Sequence, residues 1–150
     1  MRSPTIHHLR RLTEGMETDD NWLKVGHYDS EFVAAVQKDI EALRDLTPNW
    51  DGYGAPVIDP RFIDAAKRFI ASLPDNLAFR PLVVPTSNGS LQLEWHEGPR
   101  SLELEFESPR TFRFLQWHPE EGIEEEDTIA VEDTERAVDL INWFTRGACR

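Results

Sequence analysis

"PLVVPTSNGSLQLEWHEGPRSLELEFESPRTFRFLQWHP", residues 81–119, decides how this chain folds. Apolar and polar residues alternate from Leu91 to His96 and again from Leu102 to Phe106. A period of two puts successive side chains on opposite faces, so each segment reads as a half-buried strand. "TFRFLQWHP" continues the pattern with Phe112 and Phe114, and "PLVVPTS" is a shorter apolar run ahead of the others. Asn88-Gly89, Gly98-Pro99 and Ser108-Pro109-Arg110 punctuate the four runs. Links this short force antiparallel neighbours, so the stretch predicts a meander.

Each turn carries a register. A two-residue turn at Asn88-Gly89 sets Val84 opposite Leu93 and Leu82 opposite Trp95. A two-residue turn at Gly98-Pro99 sets Trp95 opposite Leu102, Leu93 opposite Leu104 and Leu91 opposite Phe106. At the third link a two-residue turn aligns Leu104 with Arg113, which mixes the faces. A three-residue turn over Ser108-Pro109-Arg110 instead aligns Phe106 with Phe112, Leu104 with Phe114 and Glu105 with Arg113. All the large apolar residues then share one face, as a half-buried sheet requires.

Outward from the sheet the period becomes helical. Phe32, Val36, Ile40 and Leu43 make one apolar stripe, predicting a helix from Glu31 to Leu46 with Ser30 as N-cap. Asp59 and Pro60 open a second helix, from Pro60 to Leu73, with Phe62, Ile63, Ala66, Phe69, Ile70 and Leu73 inward. Beyond the meander, Ile129 and Val131 suggest a short fifth strand. A third helix is expected from Thr134 to Arg146, with Ala137, Val138, Leu140, Ile141 and Phe144 inward. Two helices, an antiparallel sheet of four or five strands and a final helix make an α+β fold, with the helices over the apolar face. Residues 30–150 read as a single domain and residues 1–29 as a polar, flexible leader.

The chain of 150 residues is long enough for one packed core. Its 28 acids against 16 bases, net charge -12 and pI ≈ 4.8 argue against nucleic acid or an anionic membrane as a direct partner. A lone cysteine, Cys149, excludes an internal disulfide and a thiolate metal cluster. No apolar run has the length of a signal peptide or a membrane span, so a cytoplasmic location is expected. GxSxG, P-loop and GxGxxG patterns are absent from the sequence. "EEGIEEED", from Glu120 to Asp127, lacks the ligand spacing of an EF-hand and reads as a solvated loop, or as a contact for a basic partner.

The registers also predict an outer face: Gln92, Glu94, His96, Ser101, Glu103, Glu105, Arg113, Leu115 and Trp117. Glu94 falls opposite Glu103 and Gln92 opposite Glu105. Like charges facing each other across strands destabilise a sheet, and Arg113 can offset only one of them. Acids beside Leu115 and Trp117 make this face a candidate partner surface. The leader or the acidic loop folding over it is the competing reading. Glu94, His96 and His118 are candidate metal ligands, since Glu94 and His96 share a face two residues apart, but no HExxH or cysteine supports a metal, and no cofactor is expected. Glu94 and Glu103 as a glycosidase-like acid pair lack any sign of a sugar cleft.

"PNWDGYGAP", Pro48–Pro56, joins the first two helices. Gly52 and Gly54 allow positive φ, and Asp51 can accept from the backbone two residues on. Trp50, Asp51 and Tyr53 are candidate recognition residues if they point outward, and parts of a corner if they point inward.

Asn49, Trp50, Asp51, Tyr53, Gly54 and Ala55, followed by Pro85, Thr86, Gly89, Glu94 and Trp95, form an N-W-D-x-Y-G-A segment and a P-T-x-x-G-x-x-x-x-E-W hairpin. Over residues 45–108 the chain resembles a family of small, uncharacterised bacterial proteins. The resemblance implies a fold and a bacterial or phage source, and no reaction.

The expected function is a non-enzymatic interaction protein that binds a partner protein, a basic one among the options, or a second copy of itself. An antitoxin, immunity or defence-associated role is one form. One alternative is a small enzyme or ligand binder with a site between the Trp50–Tyr53 loop and the Glu94–His96 strand. Another is an acidic nucleic-acid mimic that inhibits a DNA-binding protein.

Overall fold

The structure is a computed structural model that describes residues 21–74 and 79–148. Five strands form one antiparallel sheet in chain order: β1 Leu82–Pro85, β2 Leu91–Glu97, β3 Arg100–Ser108, β4 Thr111–His118 and β5 Ile123–Ala130. Three helices, α1 Asn21–Ala42, α2 Pro60–Ser72 and α3 Thr134–Ala148, lie against one face of it. The fold is α+β, as the patterning implied.

Inward residues of the strands and the apolar stripes of the helices share one core. Leu91, Leu93, Leu102, Leu104, Phe106 and Phe112 meet Val36, Ile40, Ile63, Phe69, Ile70, Ile141 and Phe144 in it. Phe69 packs edge-on against Phe112 at 5.3 Å and against Phe106 at 6.3 Å, tying α2 to the middle of the sheet. Trp95 is buried, and its indole N–H donates to the Phe79 carbonyl at 3.1 Å, so no polar atom is stranded by that burial.

α1 begins at Asn21, well before the expected start, and Ser30 lies inside it. Nothing between Asn21 and Ser30 forbids helix: there is no proline, and Gly26 is the only glycine. A capping residue marks a permitted start, but a helix that can continue upstream keeps its ladder of hydrogen bonds. Part of the supposed leader is therefore helical, and residues 1–20, like Cys149, lie outside the described residues. α1 ends in a 3-10 turn at Leu43–Asp45. α2 starts as its sequence signals required, with the Asp59 carboxylate accepting from the Arg61 N–H at 2.9 Å.

The second register is as expected, with Leu93 opposite Leu104 and Trp95 opposite Leu102. The third gives the expected pairs, Phe106 with Phe112, Leu104 with Phe114 and Glu105 with Arg113, by another route. Ser108 pairs with Thr111 around a two-residue Pro109-Arg110 turn, and Glu107 is the extra residue of a bulge that restores the alignment.

The first register differs by one residue. Leu82 faces Glu94, Val83 faces Leu93 and Val84 faces Gln92. The loop is three residues long, Ser87-Asn88-Gly89, closed by the Thr86 N–H donating to Ser90 O at 2.9 Å and the Gly89 N–H donating to Thr86 O at 3.1 Å. Gly89 takes φ +88°, the left-handed position such loops demand. Leu82 and Val84 consequently turn away from the core, and Val83 packs against it.

β5 is also longer than expected. It takes up the acidic run, pairing with β4 from His118↔Ile123 to Thr111↔Ala130, with Ile129 buried against the core. A charged edge strand resists pairing with another sheet, so acids are compatible with strand structure there.

Candidate functional site

The registers assemble three rows across the face of the sheet that turns away from the helices. The first runs Leu82–Glu94–Glu103–Leu115–Glu126, the second Val84–Gln92–Glu105–Arg113–Thr128 and the third His96–Ser101–Trp117–Glu124. Adjacent rows are two residues apart along each strand, so their side chains point the same way. Leu82 is 58% exposed and Trp117 43% exposed, while Leu115 is half-buried. Ser101 was expected on the surface and is buried between its row neighbours.

Glu94 and Glu103 stand directly opposite each other. Glu94 is held from its own strand: one oxygen lies 3.0 Å from His96 Nε2, and the other accepts from the Gln92 amide. Burial raises the Glu103 carboxyl above its ordinary value, and the Glu94 carboxylate raises it further, with His96 opposing. Arg113 does not relieve this pair, nor does it bond its register partner Glu105. It bonds Glu107 at 3.1 Å and Glu126 at 3.0 Å, reaching across to the bulge and the edge strand.

His96, Glu103, Leu115, Trp117 and Glu124 line a concavity of about 490 Å³, which Gly98, Pro99 and Pro119 also border. Its wall is mixed: carboxylates, an imidazole, two large apolar groups and Arg100, whose guanidinium is held by the Trp143 carbonyl and Glu121.

The three candidate metal ligands do not all converge: Glu94 and His96 stand together, and His118 lies apart. His118 is buried on the helix side, where Nδ1 accepts from the Glu121 N–H at 3.3 Å. The period of two sends it to the face opposite Trp117 and away from His96. Glu103 takes its place: Glu94, His96 and Glu103 each offer a ligand atom, all within 4.8 Å of one another.

The Pro48–Pro56 loop is built as a corner. Asp51 Oδ1 accepts from the Tyr53 N–H at 2.8 Å and the Ala55 N–H at 3.1 Å. Asn49, at φ +69°, accepts through its side chain from the Gly54 N–H at 2.6 Å and donates its own N–H to Ala55 O at 2.7 Å. Trp50 packs against the core and its indole N–H donates to Pro56 O at 2.9 Å. Asp51 and Trp50 are thus used up internally, and Tyr53 alone projects, 93% exposed. No residue of this loop lines the concavity beside Glu103.

Leu82 and Val84 are the site residues that sequence reasoning missed. "LVV" is apolar at both parities, so its pattern carries no face information, and only the loop type sets it. No helix among the described residues is long and apolar enough to cross a membrane. No protein-family model, curated protein or solved structure matches this chain.

Proposed function

We propose that this chain is a non-enzymatic, cytoplasmic protein that binds a partner protein through the open face of its sheet. The observation that carries the reading is the first row. Leu82 and Leu115 flank the Glu94–Glu103 pair, and Trp117 stands one row away beside the concavity. Exposed aromatic and aliphatic groups beside concentrated acid fit a partner that sets lysine or arginine side chains around a protruding apolar group. A net charge of -12 steers such a partner to this surface. A homodimer through the same face would set carboxylates against carboxylates, which favours a different, basic protein. An antitoxin, immunity or defence-associated role is one form of this reading.

The two alternatives have less support. A small enzyme using the Pro48–Pro56 loop needs Asp51 beside Glu94, and Asp51 is bonded within its own corner. A nucleic-acid mimic needs a continuous acid line, but successive acids of β5 point to alternate sides, and Arg113 bonds Glu126.

The test is site-specific photocrosslinking in the native host from positions 115 and 117, with position 53 as comparison. The reading requires one basic protein captured from both face positions and not from position 53. The purified complex must weaken with salt and by roughly tenfold or more in W117A. A strictly monomeric protein with no specific crosslink from either position would overturn it.

A further inference from the structure

We infer that Glu94, His96 and Glu103 form a binding site for one divalent transition-metal cation of the zinc or manganese class. The inference goes beyond the partner-binding reading and does not depend on it.

The placement is the first argument. Glu94 and Glu103 are cross-strand partners, and His96 is the next residue on the same face of β2. A two-strand ladder joined by the tight Gly98-Pro99 turn holds all three from rigid backbone, and their ligand atoms lie within 4.8 Å of one another. Bonds of about 2.0–2.2 Å from a central ion place any two ligand atoms at most about 4.4 Å apart, so small side-chain adjustments close the set around one cation.

Charge is the second. Two facing carboxylates repel, and among the described residues no lysine or arginine forms an ion pair with either. Arg113, one register row away, is committed to Glu107 and Glu126. A cation bound between the two carboxylates would offset that repulsion.

Ligand chemistry selects the ion. An imidazole nitrogen with two carboxylates suits zinc or manganese, whereas magnesium and calcium take oxygen shells. His96 and Glu103 line the concavity, which leaves room for water or a partner's side chain to complete the coordination.

The test uses the full chain, stripped with chelator, and zinc chloride as the probe in calorimetry at pH 7. One equivalent should bind, and H96A and E103Q should each weaken it by roughly tenfold or more. The paired variant H7A/H8A should retain it, since those histidines lie apart in the sequence from the site. Zinc should shift the His96 side-chain resonances and leave those of His118 in place. Folding of the variants is checked in chelator, where E103Q should melt no lower than the parent because it removes a repulsion. Unchanged zinc affinity in both H96A and E103Q, or loss of the equivalent in H7A/H8A, would overturn the inference.

Discussion

Glu94 and Glu103 face each other across β2 and β3, and both are half-buried. Their arrangement determines how the open face behaves with pH. A carboxyl whose folded pKa lies above its unfolded value holds its proton more tightly in the fold. The stability it contributes is fully present below the unfolded value and is lost as pH rises through the raised one. Glu103 is such a group, raised from 4.5. E103Q in metal-free protein should be more stable than the parent at pH 7, by about 0.5 kcal/mol. The advantage should vanish below pH 4.5, where Glu103 is protonated in both states. Chemical denaturation of both proteins at pH 7 and pH 4 measures it, and an E103Q protein less stable at pH 7 would contradict the claim.

Glu41 has the opposite sign. It bonds Arg44 at 2.6 Å and Lys67 at 3.0 Å, joining α1 to α2, and these partners lower its pKa from 4.5 to about 2. A depressed carboxyl contributes stability above its unfolded value, lost as pH falls through the folded one. E41Q should be less stable than the parent at pH 7, and its deficit should shrink between pH 4.5 and 2. A pH-independent deficit would point to lost packing rather than charge.

Asp51 bonds two backbone N–H groups of its loop, and Tyr53 projects into solvent. D51A should lower stability by about 1–2 kcal/mol, through donors left unpaired. Y53A should stay within about 0.5 kcal/mol of the parent. Thermal melts of the two variants decide between a corner and a recognition loop: only a corner gives this order.

Gly89 and Gly98 both take positive φ, +88° and +59°. Alanine at either pays roughly 1–2 kcal/mol for the left-handed backbone. At Gly89 the added Cβ would also meet the Val57 carbonyl oxygen at 3.3 Å, beside the Asp59 N–H to Gly89 O bond that docks the start of α2 on the hairpin. At Gly98 it would meet nothing within 4 Å. G89A should therefore be the more destabilised, and equal losses would mean that the hairpin does not press on that segment.

The alternation in Leu91–His96 and Leu102–Phe106 was enough to determine two strands, their antiparallel pairing and the face each side chain takes. A strict period of two together with the two-residue Gly98-Pro99 turn sets the register that buries all the apolar groups, and the Glu94–Glu103 opposition follows from it. Asp59-Pro60 marked the start of α2 for an equally local reason, since a cap and a fixed φ act within one turn. Tertiary structure decided the rest. "LVV" is apolar at every position, so only the three-residue loop with Gly89 in the left-handed region turned Leu82 and Val84 onto the open face. The acids of Glu124–Asp127 look like a loop by composition, but β4 offered an unpaired edge and the backbone hydrogen bonds outweighed strand propensity. The Glu94–His96–Glu103 cluster was already implied by the β2–β3 register, and only the partial burial that raises the Glu103 carboxyl awaited the tertiary structure, because burial depends on every strand and side chain packed around it.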